Sequence, residues 1–421
     1  MRALRAMMGL SLALALAPWA VARDPEPLPP TVSRAESGMT LAQAVSLALN
    51  NSPILRQSRA RVEQSQGLAI QAGLYPNPQQ NSGNPNQLGG NNSLYSFGIS
   101  QELVRAGKIP LNVAAAEQGV RQANLDFIRQ QFDLVTLVRQ QFYLLLAAQQ
   151  RLNTLRDLQK IAQQSQDISI KLRQAEQATE TDVLLLQIEL RRIEVSLRSA
   201  GYLTTSAAQQ LAALVGLPNL KIDHVVGDLS VKLPDFDDPK VREQLLTRSS
   251  LVESARAEIA RDQFLLRRAE AEPTPNLIVN SGYQWSVNQP HSQALVGLYF
   301  NLPIWDRNQG NIRAAGANVR QAVAQLSTVQ NDLLRQLAEA LGRYRAAQAT
   351  VETYQKGILP DAQRTYDLVQ RGLEGGQFDL LRILQSQRSV IEANLDYIAA
   401  LQDRLSAGAA IAGLLQLYQF P

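Results

Sequence analysis

The sequence repeats itself after 199 residues, and this repeat restricts the fold more than any other feature of the chain. Shifting the chain by that distance places Gly98 on Gly297 and Asn112 on Asn311. Further matches at the same shift are Leu103 with Leu302, Pro76-Asn77 with Pro275-Asn276, and Val120-Arg121-Gln122-Ala123 with Val319-Arg320-Gln321-Ala322. A period of this length predicts two structurally similar halves.

The N-terminus has the pattern of an export signal. Residues 1–22, MRALRAMMGLSLALALAPWAVA, combine an Arg-bearing start, an apolar stretch and the ending Ala20-Val21-Ala22. This pattern predicts a signal peptide that is cleaved after Ala22. A buried first helix is the alternative, but the Pro-rich linker at 23–38 fits it poorly. We therefore expect the mature protein to be exported.

Composition excludes several classes of site. The chain has no cysteine, so it has no disulfide, no thiolate metal ligand and no cysteine that could carry a lipid at the processing site. With Arg2 and Arg5 of the signal removed, 39 of the 41 basic residues remain against 37 acidic ones. The charges are mixed along the chain, so no nucleic-acid partner is predicted. Any attachment to a membrane must come from the fold itself.

Long helices are predicted in both halves. No proline occurs between Pro110 and Pro218, and good helix formers dominate this stretch. Apolar residues follow steps of three and four at Leu125, Ile128, Phe132, Val135, Phe142 and Leu146, with Arg139 at the skipped position. One helix over 112–173 would be about 90 Å long, which is more than a compact domain can accommodate.

A second apolar stripe follows the first in each half. It comprises Val183, Leu186, Leu190, Ile193 and Leu197, and its counterparts, at an offset of 198 residues, are Leu381, Leu384, Arg388, Ile391 and Leu395. Polar turns at 173–182 and 370–379 separate the helices, so each half is predicted to form a helical hairpin whose returning helix opens at Asp182 or Asp379. Shorter helices are predicted at 40–73 and about 239–271, before the strands of each half. Sustained stripes of this kind indicate coiled-coil packing.

Alternating segments between these helices predict β-strands. In residues 93–103 and 277–285, aromatic and aliphatic side chains alternate with small or polar ones. Residues 294–303 are more apolar, and a fourth strand at 78–92 is predicted only because the repeat requires it. An apolar face with aromatic residues and a length of about 9 to 11 residues fit a transmembrane strand. A soluble, half-buried sheet would give the same alternation.

Geometry connects the strands to the helices. Four strands cannot close a barrel, and open strand edges are not tolerated in lipid. If the strands lie in a membrane, several chains must share one barrel, and the helices must continue beyond it because residues 103 and 302 are predicted to lead directly from strand into helix. With the export signal, this predicts a conduit in the outer membrane and periplasm.

Several motifs carry a resemblance to a known family. They are LYPNPQ at 74–79, RAGK at 105–108, WDRNQGNI at 305–312 and ILPDAQRTYDLVQRGLEGGQFDLLRIL at 358–384. With these motifs the chain resembles the outer-membrane factor (TolC-like) family of tripartite efflux pumps. RAGK and RNQGNI resemble its heavy-metal (cobalt-zinc-cadmium, CzcC-like) branch. The resemblance covers almost the whole mature chain, although the N-terminal Cys that anchors some relatives is absent.

The resemblance implies a mainly α protein with membrane β-strands in two repeats. The repeats would span 39–217 and 239–417, joined by a linker at 218–238. Their strands would lie at about 79–103 and 277–303, and their hairpins at about 112–217 and 311–417. A homotrimer would then share a 12-stranded barrel in outer-membrane lipid and a helical periplasmic tube. The implied partners are a periplasmic adaptor and an inner-membrane RND pump, and the implied cargo is divalent heavy-metal cations.

Two groups of residues are candidates for function. At the hairpin tips, charged rings could set ion selectivity and hold a constriction shut; the tip candidates are Glu176, Glu180, Asp182, Asp379, Arg382 and Gln385. Ordinary surface charges on a helix turn are the alternative. At the strand–helix junctions, Trp305 is expected near the membrane interface and a turn at 306–310 would redirect the chain. The junction candidates are Arg105, Lys108, Trp305, Asp306, Arg307, Asn308 and Gly310.

No catalytic, cofactor or metal site is predicted. His224 and His291 are the only histidines, and neither has a second ligand at a suitable spacing. Both are interpreted as surface residues. No phosphate loop or Ser-His-Asp order occurs, so the energy for transport would come from a partner.

Two alternatives to a metal efflux channel remain open at this stage. The first, within the same fold, is a drug-efflux or type I secretion duct. The second, from another class, is a soluble periplasmic coiled-coil adaptor or scaffold. Two helical hairpins and aromatic-faced strands favour the channel over the adaptor.

Overall fold

The computed structural model describes residues 38–83, 94–176, 178–236, 239–286, 292–374 and 380–420. The predicted signal peptide, its cleavage position at Ala22 and the linker up to residue 37 lie outside the described residues. Asp379 and His291 lie outside them as well.

The two halves have the same order of elements. The first contains β1 (Met39–Thr40), α1 (Leu41–Asn51), α2 (Pro53–Ala72), β2 (Gln79–Gly83), β3 (Leu94–Leu103), α3 (Lys108–Gln174) and α4 (Glu180–Leu214). The second contains β4 (Val225–Val226), α5 (Lys240–Arg248), α6 (Ser250–Ala271), β5 (Leu277–Ser286), β6 (Ser292–Tyr299), α7 (Gln309–Thr353), α8 (Leu359–Glu374) and α9 (Leu380–Leu414), with a π-helical turn at Tyr354–Ile358 between α7 and α8.

Helix α3 is one uninterrupted helix of 67 residues, about 100 Å long. It begins at Lys108, four residues before the predicted start at 112, and so includes Pro110 in its first turn. Proline is tolerated there because the N–H that it lacks would have no partner within the helix.

The corresponding helix of the second half is interrupted. The π-helical turn Tyr354–Ile358 separates α7 from α8, and Pro360 follows directly at the start of α8. Proline cannot donate to the carbonyl of Lys356, four residues earlier, and its ring would collide with that carbonyl in a regular α-helix. The wider π turn relieves this collision.

Each short predicted helix is divided into two. The segment predicted at 40–73 breaks at Ser52, whose ψ of 125° leaves the helical region, because the residue before a proline disfavours helical geometry. The segment predicted at 239–271 breaks in the same way at Ser249, also with ψ of 125°. No proline follows Ser249, so the second half keeps the break without its local cause.

The helices form two levels of four. Near the strands, neighbouring helices contact in the order α2, α3, α6, α7. Farther away, the order is α4, α3, α9 and then α7 with α8. The long helices α3 and α7 thus pass through both levels, and a shorter helix of the second half, α6 or α9, lies between them each time.

The predicted apolar stripes are partly confirmed. Leu186, Leu190 and Ile193 are buried in α4, as are Phe132, Val135 and Phe142 in α3, but Ile128 is exposed. In α9 the contact face is rotated from the predicted stripe, because Ile383, Ala393 and Ile398 are buried while Arg388 is exposed.

The main core surrounds the middle of the helices, where α1, α3, α5, α9 and the linker between the halves meet.

Two buried arginines bind irregular segments to this core. Arg139 Nη2 donates to the carbonyl oxygen of Tyr418 at 2.8 Å, and Arg404 Nη2 donates to that of Val231 at 3.0 Å. Burial raises the pKa of Tyr143, one turn from Arg139, to about 12. Arg139, the polar residue in the apolar stripe of α3, therefore holds the C-terminal segment at Tyr418 against the core.

Four strands form one antiparallel sheet in the order β2, β3, β5, β6. The halves join through β3 and β5, which pair over ten residues from Leu94 opposite Ser286 to Leu103 opposite Leu277. This register places the aromatic side chains of Tyr95 and Phe97 on the same face as Trp285 and Tyr283, as their alternation predicted. Within the described residues, β2 and β6 are each paired on one side only.

Strand β6 ends at Tyr299 and not at residue 303, so nine residues, 300–308, connect it to α7. Four residues, 104–107, connect β3 to α3. The expected direct passage from strand into helix at residues 103 and 302 is therefore wrong, most clearly in the second half. Across the described ranges, every helix is too short or too polar to cross a bilayer.

Candidate functional site: the strand–helix junctions, the hairpin tips and a groove between helices

The first junction is held by a buried lysine. Lys108 is 2% exposed, and its Nζ donates to Asn276 Oδ1 at 3.0 Å. Glu272 Oε1 lies 3.6 Å from the same ammonium group. Asn276 Nδ2 donates to Glu102 Oε1 at 2.7 Å, and the backbone N–H of Arg105 donates to Asn276 Oδ1 at 3.2 Å. The end of β3 and the start of α3 are thus fixed to the α6–β5 connection.

The second junction is held by an asparagine. Asn308 has a left-handed backbone (φ 60°) directly before α7, and its Nδ2 donates to the carbonyl oxygen of Ala269 at 2.8 Å. Its own N–H donates to Asp306 Oδ1 at 2.9 Å. Trp305 is 86% exposed, and Arg307 is exposed as well. Gly310 lies inside α7, so the predicted turn at 306–310 ends two residues earlier, at Asn308.

Both junctions therefore contact the C-terminal end of α6. Lys108 reaches it from α3, and Asn308 reaches it from the start of α7. Gly107, before α3, has the same left-handed conformation as Asn308 (φ 67°). Each long helix is thus preceded by a left-handed residue, although at the 199-residue shift Gly107 corresponds to Asp306 and not to Asn308.

At the first tip, Asp182 closes a capping box. Its carboxylate accepts from Thr179 Oγ1 at 2.7 Å and from the Thr179 N–H at 2.9 Å. The hydroxyl of Thr179 lowers the pKa of Asp182. Helix α4 begins at Glu180 and is capped by Thr179, so Asp182 is its third residue and does not open the helix as predicted. Glu176 is exposed and left-handed (φ 58°), and Glu180 is also exposed.

At the second tip, Arg382 and Gln385 are exposed near the start of α9. A hydrogen bond between the two hairpins lies slightly farther along: Gln387 Nε2 donates to Ser165 Oγ at 2.7 Å. Gln387 and Ser165 were not predicted from the sequence. Polar residues adjacent to an apolar stripe were the only indication that the sequence offered.

A groove of about 1110 Å³ runs between α3, α7 and α9. Its charged lining consists of Asp133, Glu339, Asp396 and Asp403 with Arg129 and Arg343. Arg129 pairs with Asp133 at 3.3 Å, and Arg343 pairs with Glu339 at 2.6 Å. Asp396 accepts a hydrogen bond from the Tyr354 hydroxyl at 3.1 Å. Four carboxylates against two guanidinium groups leave the groove acidic, which was not predicted from the sequence.

Among the described residues, no three His, Cys, Asp or Glu side chains converge on a metal site. His224 is exposed, and its Nε2 accepts from the N–H of Gly38 at 3.1 Å beside the β1–β4 pair. Its surface position agrees with the sequence interpretation.

The chain has the fold of several solved outer-membrane channels. The outer-membrane channel OprN superposes with a TM-score of 0.76 at 19% identity, over 89% of this chain and 89% of that chain. A structure of CusC gives 0.78 at 18% identity, over 89% of this chain and 91% of that chain. The open MtrE outer membrane channel of Neisseria gonorrhoeae gives 0.75 at 18% identity, over 89% and 88%.

Comparison of the sequence with a family model and with known proteins gives three matches. Residues 241–415 match the family model described as outer membrane efflux protein. The cobalt-zinc-cadmium resistance protein CzcC of Cupriavidus metallidurans is 27% identical over 419 residues, 99% of this chain and 100% of the relative. Protein CyaE of Bordetella pertussis is 27% identical over 420 residues, 92% of this chain and 87% of the relative. The second half of the chain thus matches the outer membrane efflux protein model, and the predicted location, the outer membrane with an extension into the periplasm, agrees with these comparisons.

Proposed function

We propose that three copies of this chain form the exit channel of a tripartite efflux system and that the channel passively conducts divalent heavy-metal cations to the cell exterior. The observation that carries this proposal is the sheet: it has one apolar face, and each outer strand is paired on one side only. Such a sheet can lie in lipid only if its edges are closed by other copies. Three copies of four strands would give the barrel that the resemblance implies.

The helices support the same assembly. At both levels the row of four helices begins with a helix of the first half, α2 or α4, and ends with α7 or α8. These ends differ from one another, so joining them end to end produces a ring and not an isolated dimer. We take the number three from the likeness to the family and not from the single chain.

Cation conduction fits the groove. It lies on the side of α3 that carries Asp133 and Gln140, whereas the core side of the same helix carries Leu134 and Val138. We place this acidic side toward the lumen of the tube. Carboxylates along a narrow water-filled passage raise the local concentration of cations. Weak, distributed attraction suits a passive duct, since tight binding would slow exit.

A metal cargo is supported by the full-length similarity to a protein named for cobalt, zinc and cadmium resistance. We propose that the hairpin tips, with Glu176, Glu180, Asp182, Asp379, Arg382 and Gln385, form the periplasmic gate. A periplasmic adaptor would dock near these tips, and an inner-membrane RND pump would supply the energy.

The proposal is tested by deleting the gene and measuring growth across zinc, cobalt, nickel, cadmium and copper, with a panel of dyes and detergents in parallel. Sensitivity to one or more metals, restored by the wild-type gene, is the expected result. Sensitivity to the dyes alone would replace the metal cargo with a drug cargo. Release of the protein from membranes by a carbonate wash would contradict the channel itself.

A further inference from the structure

The strand pairs of the two halves share one register. In the first half, Asn81 lies opposite Gly98 in the β2–β3 pair. Adding 199 to both numbers gives Asn280 and Gly297, which lie opposite each other in the β5–β6 pair. The sequence repeat is therefore also a repeat of the hydrogen-bonded sheet, residue for residue.

The β3–β5 pair has no counterpart at the 199-residue shift within a single chain. In the β3–β5 pair, Gly98 lies opposite Gly282. Moving each residue by 199 into the other half gives Gly297 and Gly83, and both are glycines. Gly297 lies on β6 and Gly83 lies on β2, which are the two outer strands of the same sheet. Within one chain these strands are separated by β3 and β5, so the counterpart pair can form only between two copies.

The glycines give an independent reason for this pairing. A Cβ added to Gly282 would lie 3.0 Å from the carbonyl oxygen of Phe97, and one added to Gly98 would lie 3.2 Å from that of Ser281. Glycine is thus needed where β3 and β5 approach closely. A Cβ on Gly297 would meet only the Cβ of Asn280, at 3.9 Å. Inside the single chain nothing requires glycine at this position.

We propose that β6 of one copy pairs antiparallel with β2 of the next copy in the register that sets Gly297 opposite Gly83. This inference rests on the shared sheet of the proposed function and specifies how the sheet closes. The register places Leu298 opposite Ser82 and Phe300 opposite Gln80 of the neighbouring copy. Because residues alternate between faces, a shift of one residue would turn every β2 side chain to the wrong face.

The same shift assigns the residues that meet beneath the strands. Lys108 and Asn276, which form the first junction within the chain, correspond to Arg307 and Asn77. Both counterparts are exposed in the single chain. Arg307 of one copy therefore binds Asn77 of the next. Its guanidinium group is the charged donor there, as the Lys108 ammonium group is in the first junction.

Apolar side chains surround this second contact. Leu74 and Tyr75 are 56% and 63% exposed beside Asn77, and Ile304 and Trp305 are 56% and 86% exposed beside Arg307. They lie on opposite edges of one chain, one set just before β2 and the other just after β6. Joining the edges brings the two sets together, so Trp305 packs on the neighbouring copy and not on lipid.

The absence of cysteine from the sequence makes a disulfide test specific. The full chain is expressed in the outer membrane with Ser82→Cys and Leu298→Cys, oxidised, and separated on a non-reducing denaturing gel. Directly opposed residues have Cα atoms about 4.5 to 5.5 Å apart, within disulfide range, whereas a diagonal neighbour at about 7 to 8 Å is not. The matched control is Ser82→Cys with Val296→Cys, on the same face and two residues away.

We expect a covalent trimer for the first pair and at least about tenfold less cross-linking for the second. Two single variants with different tags, co-expressed, should form a mixed dimer, which shows that the bond joins different copies. The pair Asn81→Cys with Tyr299→Cys, which the same register sets opposite each other on the other face of the sheet, repeats the measurement if either of the first two variants fails to accumulate.

Each contrary result has its own meaning. Preferential cross-linking through Val296→Cys would overturn the register. Absence of all cross-links in a protein whose native mass is trimeric would overturn the strand pairing but leave the channel proposal intact. A monomeric native mass would overturn the shared sheet and this inference with it. A Trp285→Phe protein in which Trp305 fluorescence is quenched by brominated phospholipids, without cross-linking, would assign Trp305 to the bilayer.

Discussion

Lys108 Nζ lies 3.0 Å from Asn276 Oδ1, and this contact joins two residues that are 168 positions apart in the chain. It fixes the start of the longest helix to the connection between α6 and β5. Lys108 is almost fully buried, and its ammonium group is partnered there by Asn276 and by Glu272, 3.6 Å away. The junction is thus a point where the two halves stabilise each other.

The first prediction concerns this lysine. Lys108→Met should lower the free energy of unfolding by about 2 kcal/mol, because Asn276 and Glu272 lose a charged donor. Arg313→Met, which removes an exposed charge from the first turns of α7, is the control and should change little. Thermal denaturation of the purified protein followed by circular dichroism measures both. Equal shifts in the two variants would show that the junction adds no stability of its own.

Much of the architecture follows from local pattern. The proline-free stretch after Pro110 predicts a single long helix, and α3 is continuous from Lys108 to Gln174. Alternation in the strands predicts which side chains share a face, and Tyr95 does lie opposite Trp285. These features depend on interactions between residues a few positions apart, so they could be predicted from the local sequence.

Features that depend on distant partners were not predicted. Gln387 bonds to Ser165 across 222 positions, and the acidic groove collects residues from three helices. The junction candidates were found by motif, but their contacts with Glu272 and Ala269 were not. The breaks at Ser52 and Ser249 also escaped prediction, and at Ser249 no proline marks the position. Apart from the break at Ser52, each feature depends on packing between distant parts of the chain, which local sequence pattern does not contain.

The second prediction concerns pH at the first tip. Hydrogen bonds from Thr179 lower the pKa of Asp182 below its ordinary value of 3.8. A carboxylate with a lowered pKa stabilises the fold above its unfolded pKa and loses this effect as pH falls through the folded pKa. Asp182→Asn should therefore cost less than about 1 kcal/mol at neutral pH, since the site is exposed, and should cost nothing at pH values well below 3.8.

Hydrogen exchange of the first turn of α4 at the two pH values measures this difference. Glu180→Gln is the neighbouring control: it removes a first-turn charge without breaking the capping box. The same destabilisation of Asp182→Asn at both pH values would contradict a role for its charge.

The third prediction concerns the gate. Asp379→Asn and Arg382→Gln should each raise the single-channel conductance of the reconstituted protein, because charge rings in a constriction can hold it shut through pairs between chains. Arg388→Gln is the control, since Arg388 is exposed on the same helix and pairs locally with Glu392 at 3.1 Å. Unchanged conductance in both tip variants would remove these residues from the gate.

The fourth prediction concerns the groove. Asp396→Asn combined with Asp403→Asn should lower the cation-to-anion permeability ratio by about twofold at low salt, and by less at high salt, where charges are screened. Glu392→Gln removes a carboxylate from the same helix outside the groove lining and should change the ratio less. Planar-bilayer reversal potentials provide the measurement. An equal effect of all the variants would show that the groove does not line the conducting path.

The last prediction concerns Gly297, a position at which no contact within one chain requires glycine. Gly297→Ala should leave the fold of the single chain intact, because the nearest atom to the new Cβ is 3.9 Å away. In the assembled sheet the same Cβ should meet a carbonyl oxygen of the next copy, as a Cβ on Gly98 would meet that of Ser281 at 3.2 Å. Overpacking of this kind costs about 1 to 3 kcal/mol, so the trimer should dissociate at a lower temperature on a semi-native gel. Leu295→Ala is the control on the same strand and face, since it removes atoms and introduces no collision. Gly98→Ala should instead disturb the single chain as well, and a Gly297→Ala trimer as heat-stable as the wild type would rule out the proposed register.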